Sequence, residues 1–210
     1  PVYVGAFVLF LFILGLFIVK GPMKWALLAA TVLSVLLAWG HNFMGFTNFF
    51  LDYIPMYAKF RTVASILVIA EFTIPLLAAL ALKKIVDEPD VLSKQMKFAY
   101  ISLALTAGVA ALIALFPDMM GPFVSEQECQ MIGSIQGMDG GTAHTILANI
   151  SDMRAAMVSS DAWRSVIIIL IGFALLFAYK LKKLRADYMI AALLVLCLVD
   201  MWQVDKRYLN

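Results

Sequence analysis

Polar and apolar positions fall in long blocks along this chain. Apolar runs cover residues 1–19, Trp25 to Gly40, Thr62 to Leu82, Phe98 to Phe116, Ser165 to Tyr179 and Leu184 to Trp202. About 18 or more such residues cross ~30 Å of hydrocarbon as a helix. The bilayer offers no water to the backbone, so each block must close its own hydrogen bonds, as a helix does. The pattern predicts an all-α polytopic transmembrane helix bundle of about six spans, with residues 1–210 as a single transmembrane domain. Two longer connections, 41–61 and 117–164, emerge on one side, and each is predicted to carry an interfacial helix.

The basic residues assign the sides. Lys20, Lys24, Lys83, Lys84, Lys94, Lys97, Lys180, Lys182, Lys183 and Arg185 fall at one set of block ends. Lys59, Arg61, Arg154, Arg164, Lys206 and Arg207 fall at the other. Positive charge collects in cytoplasmic loops, so the first set is read as inside and both termini as outside. Composition agrees with a bilayer protein: 63% of residues are hydrophobic and 14% charged, against roughly half and a quarter in a soluble domain. The first block has no basic segment before it and no cleavage site after it, so it reads as a span and not as a signal peptide. The whole chain reads as an internal piece of a longer protein. Cys129 and Cys197 lie at different depths and are not expected to pair.

The first outer loop is the most patterned polar segment. Phe43, Phe46, Phe50, Tyr53, Tyr57 and Phe60 recur at steps of 3 and 4, which sets six rings on one side of a helix. Pro55 must break or kink that helix. Such a stripe anchors a helix at the headgroups, or forms a platform for a lipid-linked substrate with Asp52 and His41 facing water. Lys59 and Arg61 stand where the third block begins. A helix N-terminus carries partial positive charge, so two cations there oppose the dipole and an anion would resolve the conflict. Lipid headgroup phosphates and a polyprenyl phosphate are the two candidates.

Glu71 follows ten residues after Arg61. On an unbroken helix it would lie ~15 Å deep, near mid-membrane. Pro75 has no N–H to give to the Glu71 carbonyl, so a costly side chain and a freed acceptor coincide there. Glu71 is therefore an intramembrane site or a hydrogen-bonded packing residue. On the fourth block, Ala104, Ala107, Gly108 and Ala111 form a small-residue face suited to close helix packing. His41 and His144, with Asp52 or Asp139, match no metal motif. No cofactor is expected, and a divalent metal is only weakly indicated.

In the second outer loop, Gly137-Met-Asp-Gly-Gly141 predicts a hinge at Gly140 and Gly141, and Thr145 to Ser159 a helix. Ile146, Ile150, Met153 and Met157 make its apolar face. That face is expected to rest on the bundle beside Tyr53 and Tyr57, as a lid over Lys59 and Arg61.

Several stretches resemble the YfhO family of bacterial membrane proteins: Trp39-Gly-His-Asn-Phe43, Phe49-Phe-Leu-Asp-Tyr-Ile-Pro-Met-Tyr57, Lys59-Phe-Arg61, Glu71-Phe-Thr-Ile-Pro75 and Asp200 to Asn210. That family is similar to the C-type (GT-C) glycosyltransferases. The resemblance implies a section of a longer enzyme in the bacterial cytoplasmic membrane, moving a sugar from a polyprenyl phosphate carrier to a cell-envelope acceptor. It implies substrate binding at Lys59 and Arg61, with Asp52, His41 and Tyr57 nearby. The catalytic acid is expected upstream of this piece. The implied partners are membrane lipids, the polyprenyl phosphate sugar and the rest of the full-length chain, and no nucleic acid. The alternative is a transporter or lipid flippase segment with Glu71 as its intramembrane site.

Overall fold

A computed structural model describes residues 3–39, 63–134 and 140–208. The aromatic stripe of the first outer loop lies outside the described residues. Every regular element among the described residues is helical. They are α1 (Ala6–Ile18), α2 (Met23–Ala38), α3 (Val68–Asp87), α4 (Asp90–Lys94), α5 (Met96–Leu115), α6 (Glu126–Gly133), α7 (Gly140–Lys180) and α8 (Ala186–Tyr208). Short 3-10 turns, Val63–Leu67 and Pro117–Met120, precede α3 and follow α5.

The expected six spans become four helices long and apolar enough to cross a membrane: Ser65–Asp87, Met96–Leu115, Gly140–Lys180 and Ala186–Lys206. The chain is a helical membrane protein on that footing. The first two blocks make shorter apolar helices. Gly5, at φ 90°, starts α1 only at Ala6, and Val19 turns extended at its end. Thirteen residues then reach only ~20 Å.

What α1 lacks in length it has in burial. It lies against α3, α5 and α7 and touches α2 and α8. Phe7, Phe10, Leu14 and Ile18 are almost fully buried. Between lipid-soluble helices there is little hydrophobic drive to associate, so close packing must hold them. Gly172 on α7 supplies it: a Cβ there would stand 2.2 Å from Cδ2 of the Phe7 ring. Gly15 does the same against α3, where a Cβ would meet the Leu77 backbone oxygen at 3.1 Å. Between α2 and α3, the buried hydroxyls of Thr31 and Thr73 share a hydrogen bond of 2.7 Å.

The small-residue face of α5 is only partly its contact face. Ala104 is exposed, and a Cβ on Gly108 would meet nothing within 4 Å. Ala107 of that face is buried, together with Ala99, Ser102 and Thr106. A π-helical turn spans Ala104–Gly108. Its wider turn rotates the following residues out of the phase that a regular α-helix would give them.

The ends of the bundle differ. At the lysine end, Lys84 pairs with Glu88, and Lys20 and Lys94 add to the positive field there. The bond from Lys84, more than any other cause, holds the Glu88 carboxyl below its usual range. At the opposite end, α7 carries straight on out of the bundle. Its 41 residues run ~60 Å, twice what the hydrocarbon needs. That continuity corrects the separate helix expected there, while Tyr53, Tyr57, Lys59 and Arg61, which it was expected to cover, lie outside the described residues. Residues 145–159 are helical as predicted, but no turn separates them from the span. Gly140 and Gly141 are the first residues of α7, not a hinge within it.

Candidate functional site

The end opposite the lysines holds two built polar sites. The first grows from a local deficit. The first N–H groups of any helix need acceptors, yet Gly5 has no side chain to cap α1 and its first turn has no acid. Asp200 of α8 takes the role. Its Oδ2 accepts from the Ala6 N–H at 2.9 Å. The Tyr3 hydroxyl, 2.8 Å from both carboxylate oxygens, donates to the same group. Asp200 is 1% exposed. Such burial of an acid is tolerable only with hydrogen bonds and a counter-charge. Arg164 of α7 provides the charge, its Nε 3.8 Å from Asp200 Oδ1 and its Nη1 3.7 Å from Asp161. The guanidinium also lies over the Tyr3 ring, 5.9 Å from its centroid. One carboxylate thus ties three elements together. The tie sits ~21–24 Å from the lysine end, counted along α8 and α7, and so near the far edge of the hydrocarbon.

The second site clamps the projecting part of α7. Ser125 caps α6 in a reciprocal box with Glu128: its Oγ accepts from the Glu128 N–H at 3.2 Å, and its own N–H donates to Glu128 Oε2 at 2.9 Å. Arg154 of α7 then grips the same carboxylate with both nitrogens, at 2.6 and 3.0 Å, and donates to the Phe123 carbonyl at 2.6 Å. The Arg154 bonds, above all, hold the Glu128 carboxyl down at about 2. One turn closer to the bundle, the Ser159 hydroxyl donates to the Ala114 carbonyl at the end of α5, 2.7 Å away. A helical hairpin results, fixed to the exits of α5 and α7. The face expected to rest on the bundle does not: Ile146 and Ile150 are half-buried, while Met153 and Met157 are exposed.

No family model, curated protein or solved structure matches the chain.

Of the residues that the sequence singled out, His41, Asp52, Tyr57, Lys59, Arg61 and Asp139 lie outside the described residues. Glu71 is described. The α-helix starts at Val68, so Glu71 stands in the first turn of α3, and it is exposed. It lies within the span-length helix Ser65–Asp87, ~18 Å along the axis from Lys83. An acid in a first turn complements the helix dipole, which gives Glu71 a role without any transport. Helix α3 runs unbroken through Pro75. His144 is exposed on α7, and no metal-binding group of three or more His, Cys, Asp or Glu exists among the described residues. Cys129 and Cys197 are free thiols, as expected.

Asp200, Arg164 and Arg154 were not singled out as a site by sequence reasoning. The signal for Asp200 was present: an acid inside the last apolar block, and a glycine where the first helix needed a cap.

Proposed function

We propose that this chain is part of a membrane glycosyltransferase that moves a sugar from a polyprenyl phosphate carrier to a cell-envelope acceptor. The hairpin end faces the outside of the bacterial cytoplasmic membrane, and the lysine end faces the cytoplasm. The stretches that resemble the YfhO family support the chemistry. The observation that carries the reading is the hairpin. A membrane bundle with a clamped helical element at the exits of two spans is furnished for work at that face. The connection that bears Lys59 and Arg61 starts from the hairpin-end terminus of α2 and enters α3, so the same face would receive the carrier phosphate.

The transporter alternative has less behind it. Glu71 is exposed, and the buried acid among the described residues, Asp200, is occupied by Ala6, Tyr3 and Arg164.

The test uses the full-length protein in proteoliposomes with a polyprenyl phosphate sugar. Lys59→Ala with Arg61→Ala should abolish transfer and weaken carrier binding by tenfold or more, since each charge-assisted contact contributes roughly 1.5–3 kcal/mol. Unchanged carrier binding and turnover in the double variant would overturn the reading.

A further inference from the structure

At the lysine end, the α3–α4 turn and the end of α7 line an open cavity of about 280 Å³. Asp90, Ser93, Tyr179, Lys180 and Lys182 line it. The unusual member is Lys182. Helix α7 ends in a Schellman arrangement, with the Lys183 N–H donating to the Ala178 carbonyl at 3.1 Å and the Lys182 N–H to the Tyr179 carbonyl at 2.9 Å. The residue after the cap in this motif is left-handed and is usually glycine. Here it is Lys182 at φ 56°, the one non-glycine residue at positive φ among the described residues. A glycine would end the helix with less strain. Charge for this end is already supplied by Lys180, Lys183 and Arg185, so the strained position is not needed for orientation. What it adds is a further basic residue lining the cavity.

The cavity carries both signs. Asp90 and Lys182 line it together, yet neither belongs to an ion pair among the described residues, and they do not pair with each other. A purely anionic guest would meet the Asp90 carboxylate. A zwitterion would satisfy both groups at once, and the Ser93 and Tyr179 hydroxyls can donate to its phosphate oxygens. Backbone strain kept at a ligand contact is a recognised pattern, and basic pockets between membrane helices commonly hold lipid headgroups. We propose that this cavity binds the headgroup of an amine-bearing phospholipid, its phosphate at Lys180 and Lys182 and its ammonium at Asp90.

The test titrates the purified protein in detergent with short-chain phosphatidylethanolamine, phosphatidylglycerol or inorganic phosphate, and follows binding by native mass spectrometry and stability by thermal unfolding. Phosphatidylethanolamine should bind more tightly than the other two. Lys182→Gly should weaken that binding tenfold or more while leaving Tm unchanged or raised, because the strain is relieved. Asp90→Asn should weaken phosphatidylethanolamine and spare phosphatidylglycerol. Binding unaffected by Lys182→Gly would overturn the site. Inorganic phosphate binding as tightly as the lipid would make it a free-phosphate site. Equal binding of the two lipids, unmoved by Asp90→Asn, would overturn the amine assignment.

Discussion

Tyr3 and Asp200 meet across 2.8 Å although 197 positions separate them. The contact closes the bundle: the segment before α1 is tied to α8, and Arg164 brings α7 to the same carboxylate. The first prediction follows. Asp200→Ala leaves Arg164 without its buried counter-charge and α1 without its cap, and should cost about 3–5 kcal/mol. Tyr3→Phe removes one hydrogen bond to a charged group and should cost about 1.5–3 kcal/mol. Thermal unfolding in detergent should rank them in that order, and an Asp200→Ala protein as stable as the parent would refute the tie.

Gly172→Ala should drive a methyl group into the Phe7 ring. Overpacking of this kind costs about 1–3 kcal/mol. Phe7→Ala in the same chain should recover part of the Tm lost to Gly172→Ala, since it makes the missing room. A Gly172→Ala chain as stable as the parent would mean that α1 and α7 do not pack as described.

The Thr31–Thr73 hydroxyl pair should be worth little despite its burial. Interhelical hydrogen bonds in membranes average about 0.6 kcal/mol, because the separated helices also find partners. Thr31→Val should therefore lower stability only slightly, and a loss as large as that of Asp200→Ala would contradict the comparison.

The hairpin clamp gives a pH dependence. The Glu128 carboxyl, held down at about 2 by Arg154, lies below the ordinary carboxylate value of about 4.3. Its contribution is therefore complete above the ordinary value and lost as pH falls through about 2. A fluorophore on the exposed Cys129 reports α6 directly. Its anisotropy should hold from pH 8 to pH 5 and drop as pH falls below ~3, while Arg154→Ala should lower it at every pH. A drop already complete at pH 5, or no effect of Arg154→Ala, would count against the clamp.

The helices themselves were legible in the sequence, because apolar blocks have one answer in a bilayer. Every block returns as a helix, including the weakest, which becomes α8. The misreadings share a cause. Asp161 and Arg164 fell between the helix predicted over 145–159 and the fifth block, which was therefore started at Ser165. The two are paired in the fold, and Arg164 also with Asp200, so the helix passes through them. Those partners lie on other elements or depend on α7 already being helical, and periodicity does not report them. The 3-10 turn that precedes the α-helix at Val68 was likewise not readable from periodicity. The π turn of α5 leaves no mark in composition.

The proposed function requires a bundle with an outward hairpin end and an inward lysine end. Labelling of intact cells with a membrane-impermeant maleimide tests this most directly. Cys129, exposed on the hairpin, should react at once in the parent protein. In a Cys129→Ser chain, Asp87→Cys at the lysine end should react only after the membrane is permeabilised. Labelling of Asp87→Cys from outside, with Cys129 of the parent protected, would reverse the orientation and contradict the proposed function with it.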